Sequence, residues 1–180
     1  MPTTHGRVAE IRDAARTSVY EQTHQDWHLH VVWADAPWPE LVATERETWH
    51  WPGQASPGYG GAARQWALDT LDLGEWIVHL DDDNLLFPHY MERMSAAGAG
   101  YDFVSCDLLY LGRGAPHVLR GDDLRVGKVD TLSVMVRPEA LREVDGWVEP
   151  TSYFSDGYTW ARLEAECSGA YVDEVLAAHL

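Results

Sequence analysis

The short apolar run Trp76-Ile77-Val78-His79-Leu80 ends in Asp81-Asp82-Asp83-Asn84, and this junction constrains the fold more than any other segment. A run of this length reads as a buried parallel strand. Three carboxylates and an amide then stand together at its C-terminal end. Like charges this close repel and raise one another's pKa unless a cation joins them. Hard oxygen donors in this number favour Mg²⁺, Mn²⁺ or Ca²⁺ over zinc. In open α/β sheets, ligands bind outside the carboxyl ends of the strands, which is where the cluster falls. The plainer alternative is an acidic helix N-terminus, where Asp and Asn cap free amides and complement the dipole. Three carboxylates in succession after a buried strand exceed what capping requires. An EF-hand loop fails: Asp81, Asp83 and Glu92 match its first, third and twelfth positions, but Leu85 and Leu86 stand where an oxygen ligand and a glycine are needed.

Around this junction the chain alternates helix and strand. Val8, Ile11, Ala15 and Val19 recur at helical steps and predict a helix to Gln22, followed by a strand over Trp27 to Trp33. Residues 40–50 read as either helix or loop, and Pro52 to Gly61 as a Gly- and Pro-rich loop. Ala62 to Leu73 reads as a helix stopped by Gly74. Pro88 suits the first turn of a helix to Ala97. A strand over Tyr101 to Tyr110, a polar connection or hairpin over Leu111 to Val129, and alternation over Thr131 to Val136 follow. Helices are expected from Pro138 and over Tyr158 to Cys167, with a last short strand over Tyr171 to Leu176. This order predicts a single domain over residues 1–180, an α/β sandwich around a mixed, mainly parallel sheet.

Composition narrows the function classes. Nine Trp, eight Tyr and three Phe supply ample apolar area, so the chain is expected to fold as a globular domain. The formal charge is −16 and Lys128 is the one lysine, a field that repels a polyphosphate backbone and disfavours nucleic-acid binding. An acidic protein that handles a nucleotide needs a cation to screen the phosphates. Cys106 and Cys167 form no metal-ligand spacing, and Cys106 reads as a small core residue. No apolar stretch approaches a membrane span and no signal peptide opens the chain, so a cytoplasmic location is expected.

Gly60-Gly61-Ala62-Ala63-Arg64-Gln65-Trp66-Ala67-Leu68, followed by Gly74-Glu75-Trp76 and the strand into Asp81-Asp82-Asp83, resembles the central block of family 2 glycosyltransferases. There a Gly-rich loop and an Ala-Arg-Asn helix start precede a strand that ends in an Asp-x-Asp motif. Met1 to Arg7 looks like the end of that family's first strand and its Pro-Thr-Tyr-Asn loop. Ser18 to Trp27 resembles its Gln-Thr-Tyr-x-x-Trp turn. Val134 to Leu141 with Val144-Asp145-Gly146-Trp147 resembles its Arg-Arg-Glu-Ala-Leu block and Gly-Gly-Phe. Ser155 to Leu163 is similar to its Glu-Asp-x-x-Leu-Trp-x-Arg-Leu segment.

The resemblance implies a GT-A, Rossmann-like fold that binds a nucleotide-diphosphate sugar with Mn²⁺ or Mg²⁺ and transfers the sugar with inversion. The acceptor would be a glycan, lipid or small molecule. The resemblance makes Asp81 and Asp83 metal ligands, with His179 a third, and Asp156 the base that deprotonates the acceptor hydroxyl. Pro2, Thr3, Asp35, Gly61, Arg64 and Asp82 would contact the nucleotide sugar. Read locally, Asp156 serves equally well as a helix N-cap, and His179 as an exposed histidine near the C-terminus. Trp160 reads as core packing and Arg162 as a surface ion pair.

Four positions depart from the family pattern. Trp33 and Ala34 stand where an Asp pair is usual, with Asp35 one residue late; Gln65 replaces Asn; Ser155 replaces an acidic residue. The first strand is expected to be cut short ahead of Met1, leaving a sheet edge uncovered. These departures keep two other readings open: a non-catalytic nucleotide- or metal-binding module of the same fold, and a nucleotidyltransferase, for which Gly6-Arg7 is a poor phosphate loop.

Overall fold

The computed structural model of the protein describes residues 2–3, 9–33, 44–53, 60–112, 114–147 and 152–180. Two sheets carry the fold. In the first, Pro2–Thr3 (β1), Leu29–Trp33 (β2) and Glu47–His50 (β3) run parallel in that order. The second has the order Ile77–Val78 (β4), Val134–Val136 (β8), Phe103–Tyr110 (β6), Gly169–His179 (β9), Asn84–Leu86 (β5), with His117–Leu119 (β7) paired to β6. Helices cover both: Ala9–Tyr20 (α1), Gly61–Thr70 (α2), Tyr90–Ala97 (α3), Pro138–Glu143 (α4) and Ser155–Glu166 (α5).

Alternation along the strands sorts their side chains onto two faces, as a period of two requires. Val104, Cys106 and Leu108 of β6 and Met135 of β8 join one core with Ala15 and Val19 of α1 and Tyr90 and Met94 of α3. Phe103, Val134 and Val136 face the other way, into a core with Leu68 of α2, Leu141 of α4, Trp160 and Leu163 of α5, and Trp147. The helix-on-both-faces sandwich read from the sequence is therefore present. Trp160 and Cys106 are fully buried, as expected, and Arg162 pairs with Asp145 at 3.1 Å on the surface.

The sheet is mixed, as expected: the three-stranded part is parallel, and in the larger part β6 and β9 run parallel while the other described pairs are antiparallel. Several other expectations are corrected. The run 76–80 is not a buried parallel strand. Only Ile77 and Val78 are in β4, both half-buried, and they pair antiparallel with Met135 and Val136. Asn84 does not cap the next helix; it opens β5, and His89 precedes α3. The last strand runs from Gly169 to His179 and is longer than residues 171–176, because its parallel ladder with β6 continues to Tyr110↔His179. Residues 131–133 form a 3-10 turn before β8. The ambiguous 40–50 region supplies β3, and the polar connection supplies β7 as a hairpin partner of β6. Among the described residues, no helix is long and apolar enough to cross a membrane.

Candidate active site

The strand ends deliver the acidic residues to one place. After β4 the chain turns through Asp81–Asp83, with Asn84 N–H donating to Asp81 C=O at 3.2 Å, and re-enters the sheet as β5. β5 pairs antiparallel with β9, Asn84 opposite His179, and Leu180 N–H donates to Asp83 C=O at 2.9 Å. This ladder carries His179 to the acidic turn from the far end of the chain.

Gly60, in the left-handed region at φ 87°, turns the chain into α2. One turn later Arg64 is buried, its guanidinium 4.8 Å from the Trp147 ring centroid and ion-paired with Asp81 Oδ1. A guanidinium over an aromatic face gains from the ring quadrupole, so Trp147 steadies the charge that meets Asp81. Asp82 and Asp83 are buried, and Asn84 is fully so.

Asp130, a residue that the sequence did not single out, lies between these groups. Its side chain caps the 3-10 turn by accepting from Leu132 N–H at 3.0 Å. It also accepts from Asn84 Nδ2 at 3.4 Å and faces His179 Nδ1 at 3.3 Å. Burial pushes the Asp130 carboxyl up, but the His179 side chain and the Leu132 amide outweigh it and hold the pKa below its ordinary value. Conversely, the His179 imidazole is raised above its ordinary 6.5 by Asp130 first, with Asp83 and Asp81 adding to the field and burial opposing.

Asp156 sits in the first turn of α5, not at its cap, because the helix begins at Ser155. Its Oδ1 accepts from the Gly157 amide at 2.7 Å and its Oδ2 from the Thr131 hydroxyl at 3.2 Å. Burial, with the Asp130 charge adding, raises its pKa; the Gly157 amide, Arg64 and Thr131 oppose. Thr131, adjacent to Asp130, thus ties the 3-10 turn to α5. His79 is buried against Trp147 and Trp160, and burial, then Arg64, lowers its pKa well below the ordinary value. It is a neutral packing residue.

The structure thus brings Arg64 onto Asp81, seats His179 beside Asp83 along the β5–β9 ladder, and ties Asp156 to Thr131, the residue next to Asp130. Gly61 starts α2, and Pro2 and Thr3 pair with Val32 and Trp33 at the end of β2. Asp35 lies outside the described residues. Gln65, at the family's Asn position, accepts from Trp147 N–H at 2.7 Å and so holds the Trp147 turn against α2.

Among the described residues, no three His, Cys, Asp or Glu side chains are gathered closely enough to hold an ion. The donor set itself, carboxylates plus one imidazole, suits a hard divalent cation. Two of its members are already engaged within the protein, Asp81 by Arg64 and His179 by Asp130. Asn84 Oδ1 beside them is buried with no partner among the described residues.

No protein-family profile and no functionally curated protein matches the chain. Solved structures do. The S. aureus TarS 1-349 crystal structure superposes with a TM-score of 0.75 at 14% identity, covering 99% of this chain and 58% of that one. The same fragment in complex with UDP-GlcNAc gives 0.74 at 13% identity, covering 98% of this chain and 56% of that one. The mannosyltransferase PcManGT from Pyrobaculum calidifontis, in complex with GDP-Man and Mn²⁺, gives 0.68 at 18% identity, covering 99% of this chain and 55% of that one. The chain therefore spans 55–58% of the length of these solved chains. At such identities the likeness is one of fold: the chain has the GT-A, Rossmann-like fold that the sequence resemblance implied.

Proposed function

We propose that the protein is a glycosyltransferase of the family 2 type, moving a sugar with inversion from a nucleotide-diphosphate donor to an acceptor hydroxyl. The observation that carries this reading is the pairing of Arg64 with Asp81, of His179 with Asp130 in the field of Asp83 and Asp81, and of Asp156 with Thr131 next to Asp130, at the strand ends of this fold. Solved proteins of the same fold hold UDP-GlcNAc or GDP-Man with Mn²⁺, so a UDP- or GDP-sugar is the donor class to expect.

In this reading Asp81, Asp83 and His179 would hold a divalent cation, Mn²⁺ or Mg²⁺, on exchanging their present partners Arg64 and Asp130 for it, and the cation would supply Lewis-acid stabilisation of the departing diphosphate. Arg64, set at the start of α2, would exchange Asp81 for the donor phosphates, pairing a fixed cation with an anion. Gly61 and the α2 amides lie where phosphate oxygens are best received, and Pro2, Thr3, Asp35 and Asp82 complete the donor contacts. Asp156 takes the proton of the acceptor hydroxyl as its oxygen bonds to the anomeric carbon and the bond to the diphosphate oxygen breaks. Burial suits it for this, because a carboxylate of raised pKa is a stronger base. Gly157 and Thr131 orient it without neutralising it.

The test is donor hydrolysis and sugar transfer over a panel of UDP- and GDP-sugars, with Mn²⁺, with Mg²⁺ and with EDTA. Metal-dependent turnover of at least one donor is expected. If calorimetry finds no nucleotide or metal binding across the panel, the reading fails.

A further inference from the structure

Four strands of the larger sheet each place one residue in a single row. His117 of β7 pairs with Tyr110 of β6, Tyr110 with His179 of β9, and His179 with Asn84 of β5. Directly paired residues project from the same face of a sheet, so neighbouring side chains in such a row meet. Tyr110 lies on His179 with ring centroids 4.8 Å apart and planes 12° from parallel. His117 flanks Tyr110 from the other strand, with centroids 5.2 Å apart and planes at 42°. The row runs into the acidic turn, where His179 faces Asp130 and Asn84 begins β5.

The Tyr110 ring is itself held in place. It packs against the core that includes Leu108 and Leu176. Gly112 closes over its phenol end: a Cβ on Gly112 would stand 2.7 Å from both Tyr110 Cζ and Oη, a distance that would force the ring to shift. Beneath His179 the backbone is fixed as well, because Leu111 N–H donates to its C=O at 2.7 Å. What remains free is rotation of the imidazole about its side-chain bonds. An imidazole carries both nitrogens at its edge, so a hydrogen-bond partner or cation must lie near the ring plane. The surface under the ring sets that plane, and here the surface is Tyr110. Stacking occupies the ring face and uses neither nitrogen, so it persists when a cation takes the place of Asp130.

We propose that Tyr110 is a positioning residue: its ring, wedged by Gly112 and flanked by His117, sets the plane of the His179 imidazole beside the Asp81–Asp83 turn. The consequence for cation binding rests on the reading of His179 as a ligand, whereas the setting of the plane does not. Tyr110 acts through His179 and touches no substrate. Its hydroxyl takes no part, so a phenyl ring serves equally well and an aliphatic side chain of similar bulk does not.

The test compares the full chain with its Tyr110→Leu, Tyr110→Phe and Gly112→Ala variants. In the metal-free protein, the imidazole carbon–proton resonances of His179 are identified as those lost in His179→Gln. They should carry an upfield ring-current shift in the wild type and in Tyr110→Phe, and lose it in Tyr110→Leu. Gly112→Ala should move the same resonances with Tyr110 still present, which decides the matter if Tyr110→Leu does not fold. In Mn²⁺ titrations read by electron paramagnetic resonance, Tyr110→Leu should weaken binding about tenfold, the lower end of the loss usual when the outer support of a ligand is removed, and Tyr110→Phe should bind as the wild type does. The proposal is overturned if the His179 resonances are the same in Tyr110→Leu and the wild type, if Tyr110→Phe behaves as Tyr110→Leu does, or if Tyr110→Leu binds Mn²⁺ as tightly as the wild type. A wild-type chain that binds no Mn²⁺ would remove the cation reading of His179 instead, and the ring resonances alone would then decide whether Tyr110 sets the plane.

Discussion

His179, the last residue of β9, holds its Nδ1 3.3 Å from Asp130 Oδ2, and the two shift one another's pKa in opposite directions. Nδ1 is shielded from solvent, and the carboxylate raises the imidazole first through this side-chain contact and then through its charge. A histidine whose pKa is raised on folding stabilises fully below its unfolded value, and the effect is lost as pH rises through the folded value. An aspartate whose pKa is lowered contributes above its unfolded value and loses the effect as pH falls through the folded one. The pair therefore stabilises most between Asp130's lowered value and His179's raised one. In melting scans across pH 4–9, His179→Gln should lie below the wild type by a constant gap up to about pH 6, the unperturbed histidine range. The gap should close at higher pH; a gap that instead widens there would rule out the charged pair.

Asp156→Asn keeps the shape of the side chain and removes the proton acceptor. Transfer should fall by about 10²-fold or more, the usual worth of a positioned base. Donor binding, read by calorimetry, should change little, so the loss appears in kcat and not in KM for the donor. Because burial raises the Asp156 pKa, the wild-type rate should fall off on the acid side at a pH above the ordinary carboxylate range. Unchanged transfer in the variant would remove the base assignment.

Arg64→Met preserves length and bulk while removing the charge that meets Asp81. Asp81 keeps some exposure, at 29% of its side chain, so the cost in stability should be about 1–3 kcal/mol, below that of a fully buried pair. Adding Asp81→Asn should cost less than the sum of the two single changes, with a coupling of about 1 kcal/mol in urea titrations. Nucleotide affinity should weaken while Mn²⁺ binding to the donor-free protein tightens, because Asp81 loses its internal competitor. Parallel loss of both affinities would show that Arg64 acts only through the fold.

Gly146 has φ 71°, a backbone region that L side chains rarely adopt, and a Cβ there would meet Gln65 Oε1 at 2.3 Å. That oxygen is the acceptor for Trp147 N–H, so Gly146→Ala strains the turn and displaces the contact holding Trp147 beneath Arg64. A loss of about 1–3 kcal/mol is expected, measured by denaturant unfolding. Nucleotide affinity should fall with it, whereas Gly74→Ala, with open space around its Cβ and no positive φ, should leave both unchanged.

Local sequence was sufficient where a signal repeats or is dense. Apolar periodicity placed α1, α2, β6 and α5 close to their observed bounds, since burial of one face is written directly into residue spacing. The acidic run at a strand end was visible because three adjacent carboxylates require a physical explanation. Trp160 and Arg162, on opposite faces of one helix turn, were legible for the same reason of periodicity.

Other features had no local signature. A single Asp in a polar connection looks like any solvated loop residue, and only the meeting of the 3-10 turn with β5 and β9 makes Asp130 the hub of the site. Trp147 reads as ordinary core until α2 sets Arg64 against its ring. The direction of β4 was equally hidden: a short apolar run is compatible with parallel or antiparallel neighbours, and packing beside β8 selected the latter. The sequence by itself determined the α/β class, the principal helices and the acidic turn, because burial leaves a period in the chain. Only the tertiary structure decided that Asp130 meets His179 and Asn84 beside that turn and that Thr131 meets Asp156, because contacts between residues far apart in sequence leave no period to read.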